Sequence, residues 1–179
     1  MAKAKPGELN YASGVSGSSN HIATELFKAM MVIKMVRVPY SGTGPALNAV
    51  NAGEVRVIFP GAGAAIAHIK SGRLRALALG SAEPSPLLPG MPTVAASGLP
   101  GFAYESRQGM WAPGKTPAAL IKQLNQEIVR VLKLPETIDQ FRNAATETVG
   151  STPEAFAAAI KSEMASLGKV IRDAGIRGE

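Results

Sequence analysis

A strand-like segment followed by a glycine-containing turn and a helical pattern occurs three times before residue 70. The turns lie at residues 13–19, 38–45 and 59–64. Strands and helices that alternate through short loops are typical of a parallel sheet with right-handed crossovers. The sequence therefore predicts an α/β fold with a four- or five-stranded, mostly parallel sheet, flanking helices and a helical C-terminal segment.

Hydrophobic periodicity and turn residues place the individual elements. In the first part we expect strands at 9–12, 35–38, 55–59 and 74–79, and helices at 20–31, 45–50 and 62–70. Ser18 or Ser19 is the expected N-cap of the first helix, and Thr43 that of the second, which Pro45 opens. The second part is expected to hold an extended strand at 102–112 and helices at 117–132, 135–144 and 151–174.

A proline-rich stretch marks the predicted domain boundary, with five prolines between residues 81 and 100. Residues 1–100 are expected to form an α/β ligand-binding domain. Residues 101–179 are expected to supply a crossing strand and the C-terminal helices. One helical turn is expected at 93–97, inside the proline-rich stretch.

Composition excludes several functional classes. The chain has no cysteine, which excludes disulfides, thiol nucleophiles and thiolate metal sites. Metal-ligand spacing and a Gly-x-Ser-x-Gly nucleophile turn are also absent from the sequence, and acidic residues are scarce near the turns. The sequence therefore predicts no metal, no cofactor and no catalytic residue. Its N-terminal segment does not resemble a signal peptide, because no apolar stretch follows the first lysines.

Charge is concentrated in the first part of the chain. Residues 1–100 carry nine Lys or Arg and four Asp or Glu, whereas residues 101–179 are nearly balanced. This excess favours an anionic partner, although a solvated basic surface explains it equally well. Nucleic acid is not the expected partner, because the basic residues are scattered and not interleaved with aromatic ones.

The first turn is the strongest candidate for a binding site. A Gly/Ser loop that opens a helix offers free N–H groups and hydroxyls to a carboxylate or a phosphate. The residues expected to contribute are Ser13, Gly14, Ser16, Gly17 and Ser18. The loop matches neither a Walker A motif nor a dinucleotide fingerprint, and a tight turn with a capped helix is the alternative interpretation.

Two further turns repeat this arrangement, with Tyr40, Ser41 and Gly42 in one and Gly61 in the other. Loops that follow parallel strands meet at the carboxyl edge of the sheet, where open α/β folds bind ligands. Both histidines have structural alternatives to a functional role. His21 contacts an anion or is a satisfied structural histidine, and His68 is expected to cap or pack within its helix.

Many short motifs resemble, in order, the solute-binding receptors of tripartite tricarboxylate transporters, also called Bug-type receptors. The matching segments include Lys-Pro-Gly-Glu-Leu-Asn-Tyr at 5–11, Gly-Ser-Ser at 17–19, Glu-Leu-Phe at 25–27, Val-Pro-Tyr at 38–40, Leu-Arg-Ala-Leu at 74–77, Gly-Leu-Pro-Gly at 98–101 and Val-Gly-Ser-Thr-Pro-Glu at 149–154. Family members are two-domain periplasmic proteins that close on a small carboxylate and deliver it to membrane permease subunits, without being enzymes.

The resemblance implies that this chain matches only the later part of a member, without the signal peptide and the first half of domain one. Residues 1–100 then resemble domain two, and residues 101–179 resemble the return into domain one. Ser13, Gly17 and Ser18 fall where the family's loop grips a carboxylate. Pro60-Gly61 stands where Asp-Asn is common, and Val15 replaces a common glycine, so the ligand is left open.

Two rival functions remain open. The first is an interaction protein with lost or altered ligand binding, which forms a homo-oligomer through apolar residues of the C-terminal helices. These residues are Leu120, Leu124, Ile128, Val131 and Phe141. The second rival is an enzyme that acts on a phosphorylated or carboxylated metabolite, for which His21 would be the base.

Overall fold

The computed structural model describes residues 2–177. The elements in chain order are β1 (Asn10–Ser13), α1 (Ser19–Met31), β2 (Val36–Pro39), α2 (Thr43–Asn51), α3 (Ala62–Lys70), α4 (Ala118–Leu132), α5 (Pro135–Asn143) and α6 (Pro153–Asp173). The chain forms two compact units. Unit 1 comprises the residues up to Ser106 and those from Leu167 onward, and unit 2 is Arg107–Ser166.

The sheet of unit 1 is built around β1. Strands β1 and β2 are parallel, and Tyr11 lies opposite Arg37 in their register. On the other side of β1, the Ala12 N–H donates to the Val57 carbonyl at 2.8 Å, in a parallel bridge between Tyr11 and Val57. The order across the sheet is therefore β2, β1 and the Val57 segment, all running in the same direction. This confirms the predicted α/β class with parallel strands.

The predicted number of strands is wrong. Within residues 2–177 the regular ladder holds two strands, and residues 55–59 contribute a single bridge. The Asn10 side chain also contacts the chain just before this bridge: its Oδ1 accepts from the Arg56 N–H at 3.1 Å, and its Nδ2 donates to the Glu54 carbonyl at 3.3 Å. Side-chain bonds thus replace ladder hydrogen bonds between β1 and residues 54–56.

Two other predicted strands are also absent from the described part of the chain. In 74–79 only Leu79 pairs, through an isolated bridge to Thr93, and Leu77 is 68% exposed. Residues 102–112 form no ladder at all. A β-like sequence forms a strand only where a neighbouring backbone accepts its hydrogen bonds.

The helices lie within two residues of their predicted bounds, and the predicted turn at 93–97 is present, since Ser97 N–H donates to the Thr93 carbonyl. Ser18 is the N-cap of α1, as expected. The predicted role of Thr43 is wrong: Gly42 is the N-cap of α2, and Thr43 is its first helical residue. Pro45 is tolerated at the third position because its missing N–H has no intrahelical partner there.

The core of unit 1 lies on both faces of the sheet. On one face, α2 packs its alanines onto Ala12, with Val55 completing a buried cluster. On the other face, Tyr11 is fully buried beneath α1. Phe27, Phe59 and Phe102 form an aromatic cluster with ring centroids 5.5–6.1 Å apart, which fastens α1 to the segments that follow the sheet.

Unit 2 contains α4, α5 and the first part of α6. No described residue of these three helices is buried. Apolar side chains of α4 and α5 are exposed at Leu120, Leu124, Val131 and Phe141. Trp111 packs on Phe156 with ring centroids 5.2 Å apart. Among residues 2–177, no helix combines the length and the apolar character that a membrane crossing requires.

Candidate ligand-binding site

The first loop leads from the buried end of β1 into α1. Ser13 is fully enclosed, and its hydroxyl donates to the Gly14 carbonyl at 3.0 Å. Ser18 has the extended backbone of an N-cap, but its hydroxyl donates to Asn20 and does not accept from the first turn of the helix. The first-turn amides of α1 therefore lack a side-chain cap, and uncapped amides of this kind can bind an anion.

Asn20 fastens this loop to the next one. The side chain is buried, with 1% of the residue exposed. Its Oδ1 accepts from the Gly14 N–H at 3.0 Å and from the Ser18 hydroxyl at 2.7 Å, and its Nδ2 lies 3.4 Å from Thr43 Oγ1. One amide group thus connects β1, the start of α1 and the start of α2. Nothing in the sequence pattern singled out this residue.

Arg37 holds the same loop from β2. Its Nε donates to the Ser13 hydroxyl at 2.7 Å, and its Nη2 donates to the Gly14 carbonyl at 2.9 Å. Arg37 is also missing from the site residues predicted above. The available signal was a lone charge between Val36 and Val38, in a strand that is otherwise apolar.

His21 belongs to a buried polar cluster beneath the loop. Its Nδ1 accepts from the Gly17 N–H at 3.2 Å, and its Nε2 lies 4.0 Å from the Glu25 carboxylate. Burial lowers the pKa of His21, and the positive charge of Arg37 lowers it further. Burial and the hydrogen bond to Glu25 raise the pKa of Tyr11 above its usual range. The lowered pKa favours the neutral imidazole, and the contacts of His21 with Gly17 and Glu25 fit the structural alternative.

The second loop is attached directly to the first. The Tyr40 N–H donates to the Ser13 carbonyl at 2.8 Å, and the Tyr40 ring packs on the core beneath α2. Ser41 is exposed, and Gly42 is the N-cap that opens α2. This loop therefore presents a hydroxyl and helix-opening amides beside the first loop.

The third loop contributes Gly61, the exposed N-cap of α3. His68, near the end of this helix, does not face the loops: its Nδ1 lies 2.8 Å from Asn51 Nδ2 of α2. This contact fits the expected packing role of His68. Because Gly61 has no side chain, the third loop presents only backbone groups at the start of α3.

The parallel arrangement gathers the three helix starts at one edge. Each loop follows a segment that runs in the same direction through the sheet, so α1, α2 and α3 all begin at its carboxyl edge. The first turn of each of these helices contains no acidic residue. The partial positive charges of the three helix starts are therefore not neutralised, and this edge favours an anion.

The structure brings together Ser13, Gly14, Ser18 and Tyr40 through direct hydrogen bonds and the shared contact with Asn20. Gly17 is exposed, with a positive φ of 77°, and Ser16 is half-buried. Contact of these predicted residues with a ligand stays a prediction. No group of three metal-ligating side chains occurs in residues 2–177.

A small parallel α/β unit with helix-opening loops at one edge defines a ligand-binding domain of the kind found in periplasmic binding proteins. Residues 1–176 match the model of the tripartite tricarboxylate transporter family receptor, TctC. The chain belongs to this family, whose members are periplasmic solute-binding receptors, as the sequence motifs indicated.

Curated relatives agree with this assignment. A protein encoded between tcbD and tcbE in Pseudomonas sp. strain P51 is 34% identical over 95% of this chain and 51% of its own length. Protein BugT of Bordetella pertussis is 33% identical over 99% of this chain and 54% of its own. The chain thus spans about half the length of these relatives.

Solved structures share the fold. The R. palustris protein Rpa4515, determined with adipate, superposes with a TM-score of 0.88 at 33% identity, covering 98% of this chain and 58% of that one. The periplasmic binding protein BugD gives a TM-score of 0.87 at 25% identity over 99% and 60% of the two chains. MatC of Rhodopseudomonas palustris, with bound malate, gives 0.81 at 26% identity over 92% and 57%.

Proposed function

We propose that this chain is a receptor component that binds a small organic carboxylate and delivers it to the membrane permease of a tripartite tricarboxylate-type transporter in the periplasm. In this proposal residues 1–100 act as the second receptor domain, and residues 101–179 as the return into the first. The observation that carries it is the carboxyl edge of the sheet, where three uncapped helix starts meet without an acidic residue.

The chemistry of this edge supports a carboxylate ligand. Backbone N–H groups at the helix starts and the exposed Ser41 hydroxyl offer donors, and a carboxylate provides two acceptor oxygens. Each charge-assisted hydrogen bond contributes about 1.5–3 kcal/mol net. The adipate and malate in the related structures have this same terminal group. A role as an enzyme is not proposed, because Nδ1 of the one nearby histidine, His21, already accepts from Gly17.

A thermal-shift screen tests the proposal directly. The unmodified chain is titrated with adipate, malate, other di- and tricarboxylates and matched neutral diols. A ligand at 100 times its Kd stabilises the fold by about 2.7 kcal/mol, which raises the Tm by several degrees. Ser18→Ala should reduce the shift. Ser71→Ala, a serine at the far end of α3, should leave it unchanged. No shift with any carboxylate would contradict the proposal.

A second candidate function is self-association, and the exposed apolar side chains of α4 and α5 favour it. Exposed apolar side chains that form a contiguous patch mark interaction sites. Light scattering at micromolar concentration should then show a homo-oligomer that Leu124→Glu dissociates and Gln123→Glu does not. A monomer at these concentrations would exclude this candidate.

A further inference from the structure

Gly14 is held from two directions by side chains of different elements. Its N–H donates to Asn20 Oδ1 of α1 at 3.0 Å, and its carbonyl accepts from Arg37 Nη2 of β2 at 2.9 Å. The Ser13 hydroxyl adds a second donor to the same carbonyl at 3.0 Å. Both polar groups of this residue are therefore committed to the interior of unit 1.

The direction of the next amide follows from peptide geometry. The Gly14 carbonyl and the Val15 N–H belong to one planar trans peptide unit, so they point in opposite directions. Because Arg37 holds the carbonyl inward, the Val15 N–H faces away from Arg37, toward the outer side of the loop. None of the hydrogen bonds of residues 2–177 uses this N–H, and the Val15 side chain is 53% exposed.

We propose that Arg37 is a positioning residue of the binding site: it fixes the Gly14–Val15 peptide so that the Val15 N–H is a donor to the ligand carboxylate. The inverted peptide would present the Gly14 carbonyl to the anion, which is repulsive. Arg37 is suited to this task because its planar guanidinium makes two hydrogen bonds with fixed geometry to adjacent groups. This inference rests on the proposed carboxylate-binding function.

The test compares Arg37→Met with Arg37→Lys in ¹⁵N-labelled protein, with adipate as the probe. Arg37→Met removes every donor, and Arg37→Lys keeps the charge without the planar fork. In the unmodified protein the Val15 amide resonance should move downfield on titration. Arg37→Met should lose this response and bind adipate roughly 10- to 100-fold more weakly, and Arg37→Lys should lose most of the Val15 response.

Arg56→Met is the matched control, because it removes the same charge from an exposed side chain near the amino end of β1. It should keep the affinity and the Val15 response. An Arg37→Met variant that binds adipate with unchanged affinity and an unchanged Val15 response would overturn the proposal. If Arg37→Met does not fold, a full Val15 response in Arg37→Lys would have the same meaning.

Hydrogen exchange separates this inference from the proposed function. In the unliganded protein the Gly14 amide should exchange slowly and the Val15 amide rapidly, and Arg37→Met should reduce this difference. An unmodified protein that binds no carboxylate but shows the exchange pattern would refute the proposed function alone. Equal exchange of the two amides in the unmodified protein would refute the role of Arg37.

Discussion

Gly109 lies directly against the ring of Phe156. A β-carbon built on Gly109 would stand 2.2 Å from Phe156 Cζ, with two further ring atoms within 2.9 Å. Trp111 covers the same ring, and Arg107 pairs with Glu163 of the same helix at 3.2 Å. The absence of a side chain at Gly109 therefore allows this segment to pack on α6 within unit 2.

We expect Gly109→Ala to destabilise the protein by about 1–3 kcal/mol, because the added methyl forces the Phe156 ring or the backbone to move. Urea denaturation followed by circular dichroism measures this change. Gly114→Ala is the matched control, since a β-carbon at Gly114 would meet no atom within 4 Å and its backbone needs no positive φ. A Gly109→Ala protein as stable as Gly114→Ala would contradict the contact.

Val32 ends α1 in a left-handed conformation, with φ 51° and ψ 51°. The Ile33 N–H donates to the Lys28 carbonyl, which completes a helix C-cap that usually contains glycine. The Val32 side chain is 89% exposed, so its removal sacrifices little packing. We expect Val32→Gly to raise the free energy of unfolding by about 0.5–1 kcal/mol, because relief of strain exceeds the entropy cost of glycine.

The control for this prediction is Val36→Gly, which places the same change in the extended backbone of β2. It should destabilise the protein, because glycine weakens a strand. Thermal denaturation of both variants suffices for the comparison. Equal destabilisation by both changes would show that the Val32 backbone is not strained.

Asn20→Ala should lower the free energy of unfolding by about 1–3 kcal/mol, since the Gly14 N–H loses its buried acceptor. The two loops also lose their shared tether, so carboxylate binding should weaken as well. Asn48→Ala, an exposed asparagine on α2, should be neutral or slightly stabilising. Chemical denaturation measures the change in stability, and the thermal-shift assay measures the change in binding. An Asn20→Ala protein with unchanged stability and binding would contradict this role of Asn20.

The stability of the protein should fall on mild acidification because of His21. Burial first and Arg37 second lower its pKa in the folded state, while Lys28 acts in the same direction and Glu25 opposes them. The unfolded chain therefore binds a proton on this histidine at a higher pH than the folded protein. The contribution of His21 to the free energy of unfolding is complete above about pH 6.5 and is lost as the pH falls below that value.

Urea denaturation between about pH 7.5 and 5 measures this slope, because that range includes the ordinary histidine pKa of about 6.5. His21→Asn is the informative variant, because its Oδ1 can accept from Gly17 as the Nδ1 does, but it does not titrate. The variant should show a shallower dependence over this range. Identical slopes for the two proteins would assign the acid sensitivity to other groups.

The helices could be predicted closely because their signals are local. Gly72 and Gly175 follow the ends of α3 and α6, and Pro135 opens α5, so each boundary is set by residues next to it. Strand positions could not be predicted in the same way. Residues 74–79 have the composition of a strand, but pairing depends on a neighbouring backbone, which only Leu79 finds among the described residues.

The sequence predicted the loops of the candidate site but not the side chains that hold these loops in place. Gly/Ser turns are visible in the sequence, whereas the burial of Asn20 and the inward course of Arg37 depend on how β1, β2 and α1 come together. A polar residue in an amphipathic helix usually faces solvent, so Asn20 was not distinguishable from a surface position. The lone charge of Arg37 in an apolar strand was visible in the sequence, but its contacts were not. Both were recognised only through their hydrogen bonds to Gly14.

Because two side chains hold Gly14 in place, the shape of the first loop does not depend on which residues occupy its tip. The anchors are contributed by α1 and β2, so the path of the chain does not depend on the exposed Val15 or the half-buried Ser16. A combinatorial library at these two positions can therefore vary the loop tip while the scaffold stays constant. Under the proposed carboxylate-binding function, one parent chain would then yield biosensors for different carboxylates.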